Sequence, residues 1–310
     1  MTYWKKFILT YFKGVGMGGA DLVPGVSGGS IALITGIYEE LLDSIKSIDL
    51  AALRLLISGR FKMFWTAVNG NFLLAVFLGI FTSLFTLSRL LTYLIENQPI
   101  PLWGFFCGLI LISAIWILRD VPIWNTVTLL AVAIGIVLAY YITELPPISS
   151  PESPLYTFIS GAIAICAMIL PGISGSFILL ILGQYEPILQ ALNDRNLLTL
   201  FLFGLGCLVG LLAFSHLISY LLHHYKAATL AFLAGIMLGS INKIWPWKNV
   251  LSYRMSSAGV EKPFLTENVM PGTYANMTGE DPQIMVAAIT FILGFLLVIL
   301  IERTANYFKK

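Results

Sequence analysis

Pro24-Gly25-Val26-Ser27-Gly28-Gly29-Ser30 stands in the middle of an apolar run, and a close copy, Pro171-Gly172-Ile173-Ser174-Gly175-Ser176-Phe177, stands in another. Proline and glycine interrupt a helix and leave backbone N–H and C=O groups without their usual partners. Hydrocarbon offers those groups nothing, so irregular backbone at membrane depth persists only where protein or a polar cavity surrounds it. Whether these runs lie in a bilayer is decided by composition. Soluble chains carry about 45–50% apolar and about 25% charged residues. This one has 58% and 11%. It reads as an all-α, polytopic membrane protein whose two breaks are wrapped by other helices.

Six segments are long enough to span: 71–95, 101–118, 124–142, 198–222, 227–244 and 283–301, against the roughly 20 residues a bilayer requires. The two interrupted runs, 7–42 and 156–189, read as re-entrant hairpins that turn at membrane depth and leave on the side they entered; kinked full spans are the alternative that length permits. With hairpins, twelve Lys and Arg fall on one side and five on the other, with Arg89 inside a span. The positive-inside rule then makes the richer side cytoplasmic, with both termini there, in the cytoplasmic (inner) membrane. The longest outside loop is 247–282, entered past Trp245 and Trp247 as interface anchors. The N-terminus lacks the apolar core and small-residue site of a cleaved signal and reads as a helix slanting in from the surface. Cys107, Cys166 and Cys207 lie in apolar runs and read as small buried hydrophobes. The net charge of +2 does not point to nucleic acid, and no motif calls for a metal or other cofactor.

The sequence is written twice. At a shift of 147, residues 24–42 match 171–189 at eleven of nineteen positions, including Tyr38-Glu39 on Tyr185-Glu186. At a shift of 127, Ser88-Arg89-Leu90 meets Ser215-His216-Leu217, and Gly108 meets Gly235; at 159, Gly135 meets Gly294. The chain therefore divides into 1–145 and 155–310, each a hairpin followed by three spans. Three is odd, so the second repeat is inverted, an architecture in which transporters place substrate near the midplane where broken helices meet.

Each Pro-Gly break is expected to start a new helix with proline in its first turn. The first amide N–H groups and the Ser27 or Ser174 hydroxyl would then face an anion, helped by the helix dipole. The headgroup-binding candidates are Pro24, Gly25, Val26, Ser27, Gly28, Gly29 and Ser30, with Pro171, Gly172, Ile173, Ser174, Gly175 and Ser176. Close helix packing through small residues accounts for the glycines equally well, though not for a proline beside serine. Arg89 lies six residues from the outer end of its span, about 9 Å along a helix, and can pair with phosphate. Its counterpart His216 can exchange a proton. For both, snorkelling to the interface weighs about the same. Asp21, whose counterpart is Met168, can carry a proton, bind a cation or cap a helix. Glu39 and Glu186 fall near the surface, as helix-end residues or gates.

The run A-D-x-x-P-G-V-S-G-G-S with G-x-Y-E, and its copy A-M-I-L-P-G-I-S-G-S-F with G-x-Y-E, closely resemble the bacterial and archaeal family of polyprenyl-phosphate transporters of the PopT type, formerly a domain of unknown function. The resemblance covers essentially the whole chain. It implies a transporter returning undecaprenyl phosphate, or a related polyprenyl phosphate, from the outer to the inner leaflet for reuse in peptidoglycan and other envelope polymers. The partners it implies are that lipid and, for net direction, a coupled proton or cation. Two rival readings stand beside it. One is an intramembrane serine protease using Ser174 in Gly-Ile-Ser-Gly with His216 as base, weakened by the same motif at Gly25-Val26-Ser27-Gly28, whose half offers Arg89 instead. The other is a carrier of a soluble anion.

Overall fold

The computed structural model describes residues 3–23, 25–148, 151, 153–255 and 261–309. Pro24, one of the expected site residues, lies outside them. The chain is an all-α multi-pass membrane fold, with one two-stranded sheet among the described residues.

Each interrupted run folds into three helices. The first gives α1 (Tyr3–Asp21), α2 (Gly28–Ile34) and α3 (Tyr38–Lys46). The second, after three longer helices, gives α9 (Pro154–Ile169), α10 (Gly175–Ile181) and α11 (Tyr185–Asn193). The short helices end alike. Gly36 and Gly183 take φ of +70° and +66°. Gly36 and Ile37 donate back to Leu33 and Ala32, and Gly183 and Gln184 to Leu180 and Leu179. Each is a Schellman ending, which needs a residue free to adopt the left-handed region. The chain then bends by 105° from α10 into α11.

Between the interrupted runs lie α4 (Leu50–Ile57), α5 (Phe61–Ala67), α6 (Gly70–Asn97), α7 (Pro99–Arg119) and α8 (Thr126–Glu144). After the second come α12 (Leu197–His224), α13 (Lys226–Ser240) with a 3₁₀ turn at Ile241–Ile244, β1 (Lys248–Met255), β2 (Glu261–Asn268), α14 (Pro271–Thr278) and α15 (Ile284–Lys309). α6, α7, α8, α12 and α13 with its 3₁₀ turn are long and apolar enough to cross a bilayer. Within the 247–282 loop, β1 and β2 pair antiparallel, with Lys248 opposite Asn268. α4 and α5 expose Leu50, Ile57 and Phe61 beside Arg54, Arg60 and Lys62, an apolar and basic surface suited to the membrane interface.

Four helix pairs carry the packing: α1 on α6, α9 on α12, α7 on α15 and α8 on α13. Each is a glycine seam. A side chain at Gly14 would run into the Val76 carbonyl, and one at Gly79 into that of Tyr11. Gly161 and Gly206 oppose Phe203 and Phe158 in the same way, as do Gly108 and Gly294 with Phe291 and Phe105, and Gly135 and Gly235 with Phe232 and Val132. In lipid no hydrophobic force drives helices together, so association rests on close van der Waals contact, which small residues permit.

Candidate functional site

Both helix breaks turn on a glycine in the left-handed region, Gly25 at φ +87° and Gly172 at +91°. The new helix does not begin at the proline. It begins four residues later, with Ser27 and Ser174 as the extended residues preceding α2 and α10. Serine suits that position because its backbone stays extended while its hydroxyl accepts from the first turn. In the second break Pro171 instead belongs to the turn before the helix and is fully buried.

The first break is satisfied from within. The Ser27 hydroxyl accepts from the Gly29 amide at 3.0 Å and donates to the Met168 carbonyl of α9 at 2.9 Å. The Asp21 carboxylate accepts from the Gly28 amide at 2.7 Å. The carboxylate therefore stands where an external anion would bind α2. Glycine at 28 and 29 is required sterically, because a Cβ there would strike Asp21 and the Ile169 carbonyl. Residues 25–30 are all buried, and the Ser30 hydroxyl has no partner.

The second break is open. Met168 stands where the first has Asp21, and no side chain caps α10. The amides of Gly175, Ser176 and Phe177 have no partner among the described residues. The Ser174 and Ser176 hydroxyls share a hydrogen bond of 2.8 Å, and Ser176 is exposed while Pro171, Gly172, Ile173, Ser174 and Gly175 are buried.

The two breaks meet on one segment. A Cβ at Gly172 would lie 2.7 Å from the Ser240 hydroxyl and 3.1 Å from Met237 Cα; one at Gly25 would lie 3.1 Å from Lys243 Cγ and 3.2 Å from Ile244. Tyr38, on the first interrupted run, also donates to the Ile169 carbonyl of the second at 3.2 Å. Lys243 spans the junction: its stem covers Gly25 and its ammonium lies 4.2 Å from the centre of the Phe177 ring. Lys248 follows it, donating to the Lys243 carbonyl at 2.9 Å. Burial, then the neighbouring Lys243, lowers the Lys248 pKa to about 8. Sequence reasoning counted Lys243 only as one of the five cations on the second side, at the end of span 227–244. Its one cue was a lysine directly before Ile-Trp-Pro-Trp, where an apolar helix ends.

The remaining expected residues are not gathered at the breaks. Arg89 is exposed on α6 and has no hydrogen bond or ion pair among the described residues. His216 is exposed on α12, its Nδ1 2.8 Å from the Leu212 carbonyl of its own helix. Glu39 pairs with Lys226 at 2.6 Å, and Glu186 is half-buried in the first turn of α11. A serine–histidine catalytic pair needs hydrogen-bond contact. Ser174 bonds Ser176 and His216 bonds backbone, so the protease arrangement is not assembled.

A family model described as VCA0040-like, undecaprenyl phosphate translocase-like, matches residues 17–262. A Vibrio cholerae protein named polyprenyl-phosphate transporter is 46% identical over 301 residues, covering 97% of this chain and 98% of its own. A Staphylococcus aureus protein of the same name is 35% identical over 258 residues, covering 77% and 86%. No solved structure matches the chain.

Proposed function

The chain belongs to the VCA0040-like, undecaprenyl phosphate translocase-like family, one of transporters and not of enzymes, and on that premise we propose that it carries undecaprenyl phosphate or a related polyprenyl phosphate from the outer to the inner leaflet of the cytoplasmic membrane, for reuse as a lipid carrier. The observation that carries this reading is the junction at Lys243. There a cation lies against both chain breaks, beside three unpartnered amides and an exposed serine. The tail of such a lipid is at home in the bilayer and its phosphate is not. Even one charged side chain at the centre costs about 2.5–3.5 kcal/mol on the most lenient scale. A fixed ammonium and hydrogen-bond donors along its path lower the barrier without touching the tail.

In this reading the two repeats are inverted, with both termini cytoplasmic. Supporting it, the glycine seams correspond across the repeat: Gly14–Gly79 to Gly161–Gly206, and Gly108–Gly294 to Gly235–Gly135. The conformation is closed at the first hairpin and open at the second. α3 packs on α12, whereas α11 makes no comparable contact with α6 among the described residues. Asp21, bonded within the closed tip, is the candidate for a coupling proton.

The test is translocation of a labelled polyprenyl phosphate in vesicles containing the purified protein, with inorganic phosphate as competitor and with and without an imposed pH difference. Lys243→Gln should slow translocation severely. Competition by inorganic phosphate equal to that by a short-chain polyprenyl phosphate would favour the soluble-anion carrier. A rate indifferent to the pH gradient would remove the coupling proton.

A further inference from the structure

We propose that an apolar hollow of about 560 Å³ between α7, α15 and the Trp245–Trp247 turn receives the phosphate-proximal isoprene units of the transported lipid. The inference rests on the polyprenyl-phosphate reading and adds a tail site to it. Small residues create the hollow. Gly104 lies directly against α15, where a Cβ would come 2.8 Å from the Ala287 carbonyl, and Ala288 adds little bulk, so the floor is low. Leu111, Phe291 and Trp245 raise the walls. No charged side chain lines it. A site with so few polar partners does not hold water well and favours an apolar occupant. Its volume falls within the roughly 300–1,000 Å³ of ligand clefts.

The position of the hollow selects the occupant. Cys107, in its wall, donates to the Ile244 carbonyl at 3.2 Å, which puts that wall one residue from Lys243. Ile241 and Trp245 face the hollow from the same turn on which Lys243 reaches Gly25 and Phe177. Lys248 caps this turn through the Lys243 carbonyl. The wall at Cys107 thus adjoins the turn that carries Lys243 and is capped by Lys248, and the lining itself is hydrocarbon and aromatic ring. That complements an amphiphile with a single anionic end and an unsaturated, branched chain.

The experiment measures binding of inorganic phosphate, dimethylallyl phosphate, geranyl phosphate, farnesyl phosphate and dodecyl phosphate to the full-length protein in detergent. Wild type should bind farnesyl phosphate at least tenfold more tightly than dimethylallyl phosphate. Ala288→Trp, which fills the hollow from an exposed position, should flatten that length dependence, bringing farnesyl phosphate down toward the affinity of inorganic phosphate. Ile292→Trp is a second plug on the same wall, should one variant fail to fold. Length dependence that survives both plugs, or is absent from wild type, overturns the tail site and leaves the transport reading standing. Dodecyl phosphate bound as tightly as farnesyl phosphate, with the same loss on plugging, assigns the hollow to ordinary lipid and also overturns it. Wild type that binds none of the isoprenyl phosphates overturns the substrate reading itself.

Discussion

Asp43 of the first hairpin and His223 of α12 face each other across 3.7 Å, and Ser219 donates to the same carboxylate at 2.6 Å. Lys46 reaches Ser219 at 3.3 Å, and Glu39 holds Lys226 at 2.6 Å. These contacts tie α3 to the α12–α13 corner. In the proposed reading they are what holds the first break closed.

Loosening that tie should open the buried tip behind it. Exposed ion pairs are worth about 0.2–1 kcal/mol each, so Asp43→Asn combined with Lys226→Gln should shift a two-state equilibrium by about two- to thirtyfold. A Ser30→Cys reporter, in a background lacking Cys107, Cys166 and Cys207, reads this out. Maleimide labelling should be slow with the ties intact and several-fold faster without them. Unchanged labelling would show that the ties do not set the closed state.

Asp21 separates two roles by two substitutions. Asparagine keeps an oxygen for the Gly28 amide; methionine, the residue at the matching place in the second break, does not. Leaving a buried amide unpaired costs about 1–3 kcal/mol. Asp21→Met should therefore lower thermal stability clearly and Asp21→Asn only slightly. If Asp21 also carries the coupling proton, Asp21→Asn should abolish the response of transport to a pH gradient while the folded protein persists.

Lys243 should dominate headgroup affinity. A hydrogen bond to a charged group contributes about 1.5–3 kcal/mol, so Lys243→Gln should weaken dimethylallyl phosphate binding roughly 10- to 100-fold. Lys243→Arg should restore part of it. Equal affinities for wild type and glutamine would move the headgroup site elsewhere.

The glycine seams make a stability prediction with an internal control. Gly108→Ala places a methyl against the Phe291 carbonyl, and overpacking of this kind costs about 1–3 kcal/mol. Gly204 on α12 has nothing within 4 Å of its would-be side chain. There alanine should be neutral, or stabilising by up to about 1 kcal/mol through helix propensity. Melting temperatures in detergent should fall for the first and hold or rise for the second.

Lys248 gives a pH signature. Its ordinary value of 10.5 is lowered to about 8 in the folded protein. Between those limits the unfolded chain holds a proton that the folded one has released, so this group makes stability rise with pH from about 8 to 10.5. Thermal denaturation at pH 7.5 and 9.5 should show that rise reduced in Lys248→Gln relative to wild type.

The long apolar helices were legible because they follow from length and hydropathy alone: α6 to α8, α12 and α15 begin within a few residues of where the apolar runs begin. That the chain breaks near residues 24 and 171 was legible too, since glycine and proline act locally. Where the new helices start was not. The serine capping position prevailed over the proline first-turn preference, and Gly25 and Gly172 in left-handed turns separated the two. The filling of the first break by Asp21 depends on a hydrogen bond across seven residues that no spacing rule supplies. The contact of Lys243 with the first break was not legible because its 3₁₀ turn folds back over Gly25, a contact between positions more than two hundred residues apart. Arg89 and His216 drew notice as charges within apolar spans, yet both are exposed on helices whose buried faces carry only apolar and small residues.

The pairing of α7 with α15 and of α8 with α13 interlocks the N-terminal and C-terminal portions of the polypeptide. A gene divided in the connection near residue 150 would yield two pieces, each holding one member of both pairs and neither holding a complete pair. Each fragment expressed alone would be left with two unmatched helices, while co-expression should reassemble the whole, as clasped hands cannot be formed by one.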